Sequence, residues 1–404
     1  LQFEVLMTQH CIPRTAVLTF FSFVLVMMSL WNISCSPTEQ AETPDSAQIG
    51  VGDGVPTFEW DPTWPKQPLP NQWTIGGGMG VAVDEMDHIW ISHKPNDITA
   101  LEAAAAADPP QAVCCIPAPS IIEFDQEGNV VQAWGGPGSG YEWPYAEHGL
   151  TIDYKGHVWI GGHEASDSQF LKFTRDGKFL LQIGRSGQGT GNSDLQNLGM
   201  PADVSVDPTT NEVWVADGYQ NRRVIVFDAD TGEYKRHFGA YGNVPEDQLT
   251  LTTPENVAHF GASEDALPQQ FGVVHCAKIS HDGLVYVCDR ENNRIQVFDR
   301  NGTFVTEKVI NPDVVGAVSN DIAFSRDPEQ RFMYVTDHAS SKVWILTRSD
   351  MNVIGSFGFA GHFGGGFIVA HNIATDSMNN LYVTEGLEGK RVQRFLYKGL
   401  TSAE

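Results

Sequence analysis

HCAKISHDGLVYVCDRENNRIQVFDRNGTF, residues 275–304, reads as a run of hairpins. An alternating segment, HCAKIS, meets a turn at Asp282-Gly283, and LVYVC follows, rich in β-branched and aromatic residues. A polar turn, RENN, leads into IQVF and then into a second turn, DRNG. Short strands bounded by Asp, Asn and Gly belong to antiparallel sheets. The first half of the pattern recurs as GVAVDEMDHIWISH from Gly80, HGLTIDYKGHVWIGG from His148, ADVSVDPTTNEVWVAD from Ala202, NDIAFSRDPEQRFMYVTD from Asn320 and HNIATDSMNNLYVTE from His371. Most copies continue into a third strand (FLKFTRDG, VIVFDADTG, VWILTRSD) and a fourth (FLLQIG, YKRHFG, VIGSFG). Four short strands per repeat, recurring around a ring, make propeller blades. The sequence predicts an all-β fold, a six-bladed β-propeller over residues 57–404. The last repeat runs out at RVQRFLYKG, and the extended, aromatic stretch FEWDPTWPKQPLPNQWTIG ahead of the first repeat is expected to supply its missing strand.

Residues 1–56 carry no repeat. From Met7, a short segment with Arg14 precedes the apolar run AVLTFFSFVLVMMSL and then Cys35, a secretory signal pattern over residues 1–35. Ile33-Ser34-Cys35 resembles the end of a bacterial lipoprotein signal, although Asn32 stands where that pattern is apolar. The expected location is therefore outside the cytoplasm: periplasmic, secreted, or in the cell envelope through a lipid on Cys35. Residues 36–56, polar and without periodicity, suit a flexible tether. The formal net charge of −25 argues against a nucleic-acid surface, which needs a basic face. A monomer is expected, with the lipid as its only membrane link. Cys276 and Cys288 fall opposite each other if Asp282-Gly283 turns a hairpin; a cross-strand bridge and two buried thiols are both open. Cys114 and Cys115 sit in a long loop with no assigned chemistry.

Alignment of the repeats isolates candidate site residues. Five positions before Asp84, Asp153, Asp207, Ser280, Ser325 and Asp376 stand Met79, His148, Ala202, His275, Asn320 and His371. Histidine occupies this register in alternate repeats, which lie about 120° apart in a six-fold ring. First strands line the channel, so three imidazoles converge on the axis and present three nitrogens to a metal with a further position open. Zinc suits them, as do copper, nickel and iron. Just past the second strand stand Lys94, His163, Gly218, Arg290, His338 and Gly386, with Tyr219 next in line. Lys94 and Arg290 offer cations for a carboxylate, and a cation and a metal near Tyr219 are expected to lower its pKa. Long excursions after Lys94, Gly184 and Gly239 are expected to decorate one binding face.

DRENNRIQVFDRNGTF resembles an NHL repeat. VCDRENNRIQVF, VADGYQNRRVIVF and the H-G-L and H-N-I strand starts resemble the peptidyl-α-hydroxyglycine α-amidating lyases, over about Val81 to Phe395. That resemblance implies zinc on His148, His275 and His371, a catalytic tyrosine at Tyr219 and an active-site arginine at Arg290. It further implies a calcium held by the carbonyls of Val81 and Leu150 and by residue 372. Two positions depart from the family: Asn372 replaces a calcium-binding aspartate, and Lys94 replaces a second arginine. The implied reaction is cleavage of a carboxylate-bearing carbinolamide, small or peptidyl, to an amide and glyoxylate. Two other classes fit a propeller. One is a metal-dependent hydrolase such as a lactonase, to whose site Asn320 and Asn372 would contribute; the other is a non-catalytic NHL scaffold.

Overall fold

The hairpin that opens a repeat is built the same way in three blades. The Asp84 carboxylate accepts the backbone N–H groups of Met86 and His88 and the indole N–H of Trp90. Asp153 does the same for Lys155, His157 and Trp159, and Asp376 for Met378, Asn380 and the Tyr382 hydroxyl. One carboxylate satisfies the turn's free donors and pins the aromatic ring of the next strand, which explains the acid-to-aromatic spacing in these repeats.

A computed structural model describes residues 54–247, 267–314 and 316–402; the stretches read as a leader and, as far as residue 53, as a tether lie outside them. Six four-stranded antiparallel sheets succeed one another along the chain. Blade 1 comprises Gly78–Val83, Ile89–His93, Ile121–Phe124 and Val130–Trp134. Blade 2 comprises Glu147–Ile152, Val158–Gly162, Gln169–Phe173 and Phe179–Gly184. Asp203–Asp207, Glu212–Asp217, Arg223–Asp228 and Tyr234–Phe238 form blade 3. Val274–Ile279, Val285–Asp289, Arg294–Phe298 and Phe304–Val309 form blade 4. Blade 5 consists of Ile322–Phe324, Phe332–Asp337, Lys342–Thr347 and Val353–Phe357. In blade 6, Ala370–Thr375, Leu381–Glu385 and Arg391–Ser402 are joined by Gly54–Trp60, which runs antiparallel to Arg391–Ser402 with Gly54 opposite Ser402 and Trp60 opposite Phe395. That strand begins at Gly54, inside the stretch read as tether.

Cores form between neighbouring blades. Trp214 and Val226 of blade 3 pack with Val274, Val285 and Phe298 of blade 4. Tyr334 and Val343 of blade 5 pack with Ile373, Val383 and Phe395 of blade 6, and Phe58 of the closing strand joins them. Each sheet thus buries apolar surface against the next.

Buried and half-buried ion pairs fix the loops. Asp217 pairs with Arg223 at 2.8 Å and Asp289 with Arg294 at 2.7 Å, and Glu385 pairs with Arg391. Each guanidinium also donates to loop carbonyls: Arg223 to Asn192, Asp194 and Asn197, Arg294 to Pro268, and Arg391 to Gly366. These loops enter the inner strands at their first residues. The excursion after Lys94 leaves a second strand at that same end, because neighbouring strands are antiparallel. Cys276 and Cys288 are directly opposed and joined by a disulfide, and Cys114 is joined to Cys115.

Candidate metal centre

His148, His275 and His371 stand near the starts of the inner strands of blades 2, 4 and 6. At each one the pairing with the second strand slips, between Glu147 and Leu150, Val274 and Cys276, and Ala370 and Ile373. A bulge re-aims a side chain. Every one of these rings then reaches the next blade: His148 Nδ1 lies 2.6 Å from the Ala202 carbonyl, His275 Nδ1 2.7 Å from that of Asn320, and His371 Nδ1 2.8 Å from that of Met79. A carbonyl only accepts, so the proton belongs on Nδ1 and the Nε2 lone pair is left for the channel. The anchoring carbonyls come from the same register in the three blades that lack histidine.

Ring centroids are 4.7, 5.0 and 5.1 Å apart, and one ligand nitrogen from each ring lies within 4.8 Å of the others. All three residues are buried. Burial pushes His148 and His275 well below the ordinary histidine range and His371 down to about 3. Neutral, oriented nitrogens of this kind are what a metal ion needs, so the residues fit one.

Tyr219 joins the group from the turn after the second strand of blade 3. Its hydroxyl is 3.0 Å from Nε2 of both His148 and His275, and Arg290 Nη1 donates to it at 3.0 Å. Gly218 makes this approach possible: a Cβ there would lie 2.1 Å from the Val274 carbonyl oxygen, on the strand that carries His275. Burial raises the Tyr219 hydroxyl above its ordinary range while Arg290 pulls it down. Burial outweighs Arg290 here; the lowering expected from the sequence rests on a metal ion as well as the cation. Arg290 Nε and Nη2 both contact Glu291 Oε1, at 2.9 and 2.8 Å.

Lys94 pairs with Asp97 at 3.0 Å, and its charge, after burial, contributes to lowering His163 to about 4. His163, passed over in the sequence as one member of a ring, packs 4.7 Å from the His148 ring and 5.1 Å from that of Tyr219. Val81, Leu150 and Asn372 are buried on the inner strands of blades 1, 2 and 6, and Asn372 Nδ2 donates to Asp321 at 3.0 Å. A second cluster, Asp84, His88 and Glu123, is already engaged by Arg175, which contacts both carboxylates.

The NHL repeat family matches residues 271–298, within and just ahead of blade 4. The chain is similar to peptidyl-glycine alpha-amidating monooxygenase of Mus musculus, 33% identical over 158 residues, which cover 38% of this chain and 14% of that protein. It is 24% identical over 395 residues to peptidyl-alpha-hydroxyglycine alpha-amidating lyase 1 of Drosophila melanogaster, covering 87% of this chain and 66% of that protein. A probable peptidyl-alpha-hydroxyglycine alpha-amidating lyase of Caenorhabditis elegans is 30% identical over 158 residues, 38% of this chain and 37% of its own. Each match therefore spans less than two thirds of the relative. Among solved structures, streptogramin B lyase is similar with a TM-score of 0.50 and 14% identity, covering 84% of this chain and 98% of its own. A gluconolactonase from Xanthomonas campestris gives 0.51 and 12%, covering 88% and 95%. These two likenesses speak to the fold alone.

Proposed function

We propose that this NHL-repeat propeller, similar to the amidating lyases, is a metal-dependent carbon–nitrogen lyase that splits a peptidyl-α-hydroxyglycine into an amide and glyoxylate. The observation that carries this reading is a hydroxyl among neutral imidazoles: Tyr219 lies 3.0 Å from two of them and 3.0 Å from Arg290. Similarity to proteins named as such lyases supports the same reaction class.

His148, His275 and His371 would hold the ion, zinc by preference, and when bound it would supply the Lewis acidity that helps an α-hydroxyl release its proton. Arg290 binds the substrate carboxylate along the Nε–Nη2 edge that Glu291 now holds, an exchange of one carboxylate for another. Lys94 adds positive charge at the rim but is shared with Asp97. Tyr219, as phenolate, takes the hydroxyl proton and passes it to the departing amide nitrogen. The C–N pair leaves with nitrogen, and the carbinol oxygen closes the aldehyde of glyoxylate. No water or oxidant is consumed. Arg290 favours the phenolate and burial opposes it, so the guanidinium's position governs how readily Tyr219 accepts a proton.

The test is to load the protein with zinc and supply α-hydroxyhippurate. Benzamide and glyoxylate should form in equal amounts. A zinc-loaded protein that makes no glyoxylate above the buffer rate rejects the lyase. The leader makes this an exported protein, and a cell-envelope lipoprotein if Cys35 carries lipid; loss of labelled-lipid incorporation in Cys35→Ala is the expected result.

A further inference from the structure

A second set of buried charges occupies the channel next to the imidazoles. One residue past the histidine register the repeats read Gly80, Gly149, Asp203, Cys276, Asp321 and Asn372. Two residues further they read Ala82, Thr151, Ser205, Lys278, Ala323 and Ala374, all of which line a cavity of about 560 Å³ along the inner strands. Lys278 is the one long side chain in that second ring. It is also the one lysine or arginine on the six inner strands.

Its ammonium stands 2.6 Å from Asp203 of blade 3 and 3.0 Å from Asp321 of blade 5. The other oxygen of Asp321 accepts from Asn372 Nδ2 and the Ile373 backbone of blade 6, each at 3.0 Å. One ammonium and one carboxylate thus connect blades 3 through 6 at the axis. Both aspartates are fully buried. Burial alone would lower Lys278, but Asp203 and Asp321 outweigh it and hold the ammonium above its ordinary range.

The calcium implied by family resemblance does not fit this arrangement. Calcium takes about six to eight oxygens, carboxylates prominent among them. The carbonyls of Val81 and Leu150 and the Asn372 amide would bring no charge, and both nearby carboxylates already face an ammonium that would repel a second cation. We propose that Lys278 is the channel's resident cation: bridging Asp203 and Asp321, it does the bracing a calcium ion would do, and the protein requires no calcium.

Asn372 Oδ1 and Asp203 Oδ1 have no hydrogen-bond partner, so removing the ammonium should expose a set of oxygens able to take a divalent ion. Calcium titrated into the zinc-loaded wild-type protein is expected to give no binding heat and no shift in unfolding temperature. One calcium bound per chain, with a raised midpoint, overturns the proposal. Lys278→Ala should melt several degrees lower and be restored by calcium; a folded Lys278→Ala indifferent to calcium also overturns it. Should that variant not fold, Asp203→Asn/Lys278→Met, which removes both charges of the closer pair, should fold and ignore calcium, and a calcium response there counts against the assignment. Zinc content, measured in parallel, reports on the imidazoles separately, and no arm depends on the lyase reading.

Discussion

Tyr219 is the residue on which the proposed chemistry turns, and its surroundings were the least legible in the sequence. Its position after Gly218 could be read from the repeat. That burial would oppose its ionisation, and that one hydroxyl would touch two imidazoles and a guanidinium, could not. The histidines were legible because a register shared by alternate repeats is a spatial statement in a ring. Lys278, the odd member of a small-residue column, was passed over in the sequence, and its meaning needed Asp203 and Asp321 from neighbouring blades. Tyr219→Phe keeps every imidazole and Arg290, so it should bind metal at wild-type stoichiometry and lower kcat roughly 10²–10⁴-fold. Steady-state kinetics on the zinc-loaded variant check this; an unchanged kcat would move the proton-transfer role to another group.

At the scale of elements, the hairpins follow from local chemistry and the loops do not. Asp84, Asp153 and Asp376 each close a turn with neighbours within six residues, so the sequence contains nearly all that the turn needs. The buried Arg223 and Arg294 and the partly exposed Arg391 recur at the starts of third strands, a signal the sequence offered and the reading passed over. Their function shows only when the loop carbonyls they hold are in view. Arg223→Ala leaves Asp217 buried without its partner and frees the carbonyls of Asn192, Asp194 and Asn197. A loss of roughly 3–5 kcal/mol is expected. Denaturant unfolding measures the loss, and limited proteolysis should find new cleavage between residues 185 and 201. A variant as stable and as resistant as wild type would mean that the ion pair braces nothing.

The whole molecule depends on closing the ring. Gly54–Trp60 is the outermost strand of the sheet whose inner strand carries His371, and His371 anchors on Met79 of blade 1. Deleting residues through Trp60 leaves the sixth sheet three-stranded and uncovers Tyr334, Phe357 and Phe395, which pack near Phe58. The truncated protein should melt well below the full chain and bind zinc more weakly; equal midpoints would show that closure contributes little. Acid should act on the molecule as a whole as well. Burial holds His148 and His275 well below the ordinary value of 6.5, His371 at about 3, and His93 and His163 at about 4. Between pH 6.5 and about 3 the unfolded chain therefore binds protons that the metal-free fold refuses, so stability is greatest above 6.5 and falls as pH drops through that window. Asp203, raised by burial to about 6, works the other way between 3.8 and 6, and burial also raises Glu147, Asp167, Asp289 and Asp376, while His237 and His338, lowered by burial, side with the other imidazoles. Unfolding midpoints of the metal-free protein should decline from pH 7 to 4. A flat or rising profile contradicts the burial of neutral imidazoles.

By itself the sequence determined the strand count, the six-fold repetition and the three histidines, because period-two alternation, turn residues and a shared register are encoded within each repeat. Only the tertiary structure decided what meets at the axis. The bulges that aim the imidazoles, the carbonyls that fix their protons and the ammonium between two carboxylates all join residues from different blades. Those contacts follow from ring closure, which no single repeat specifies.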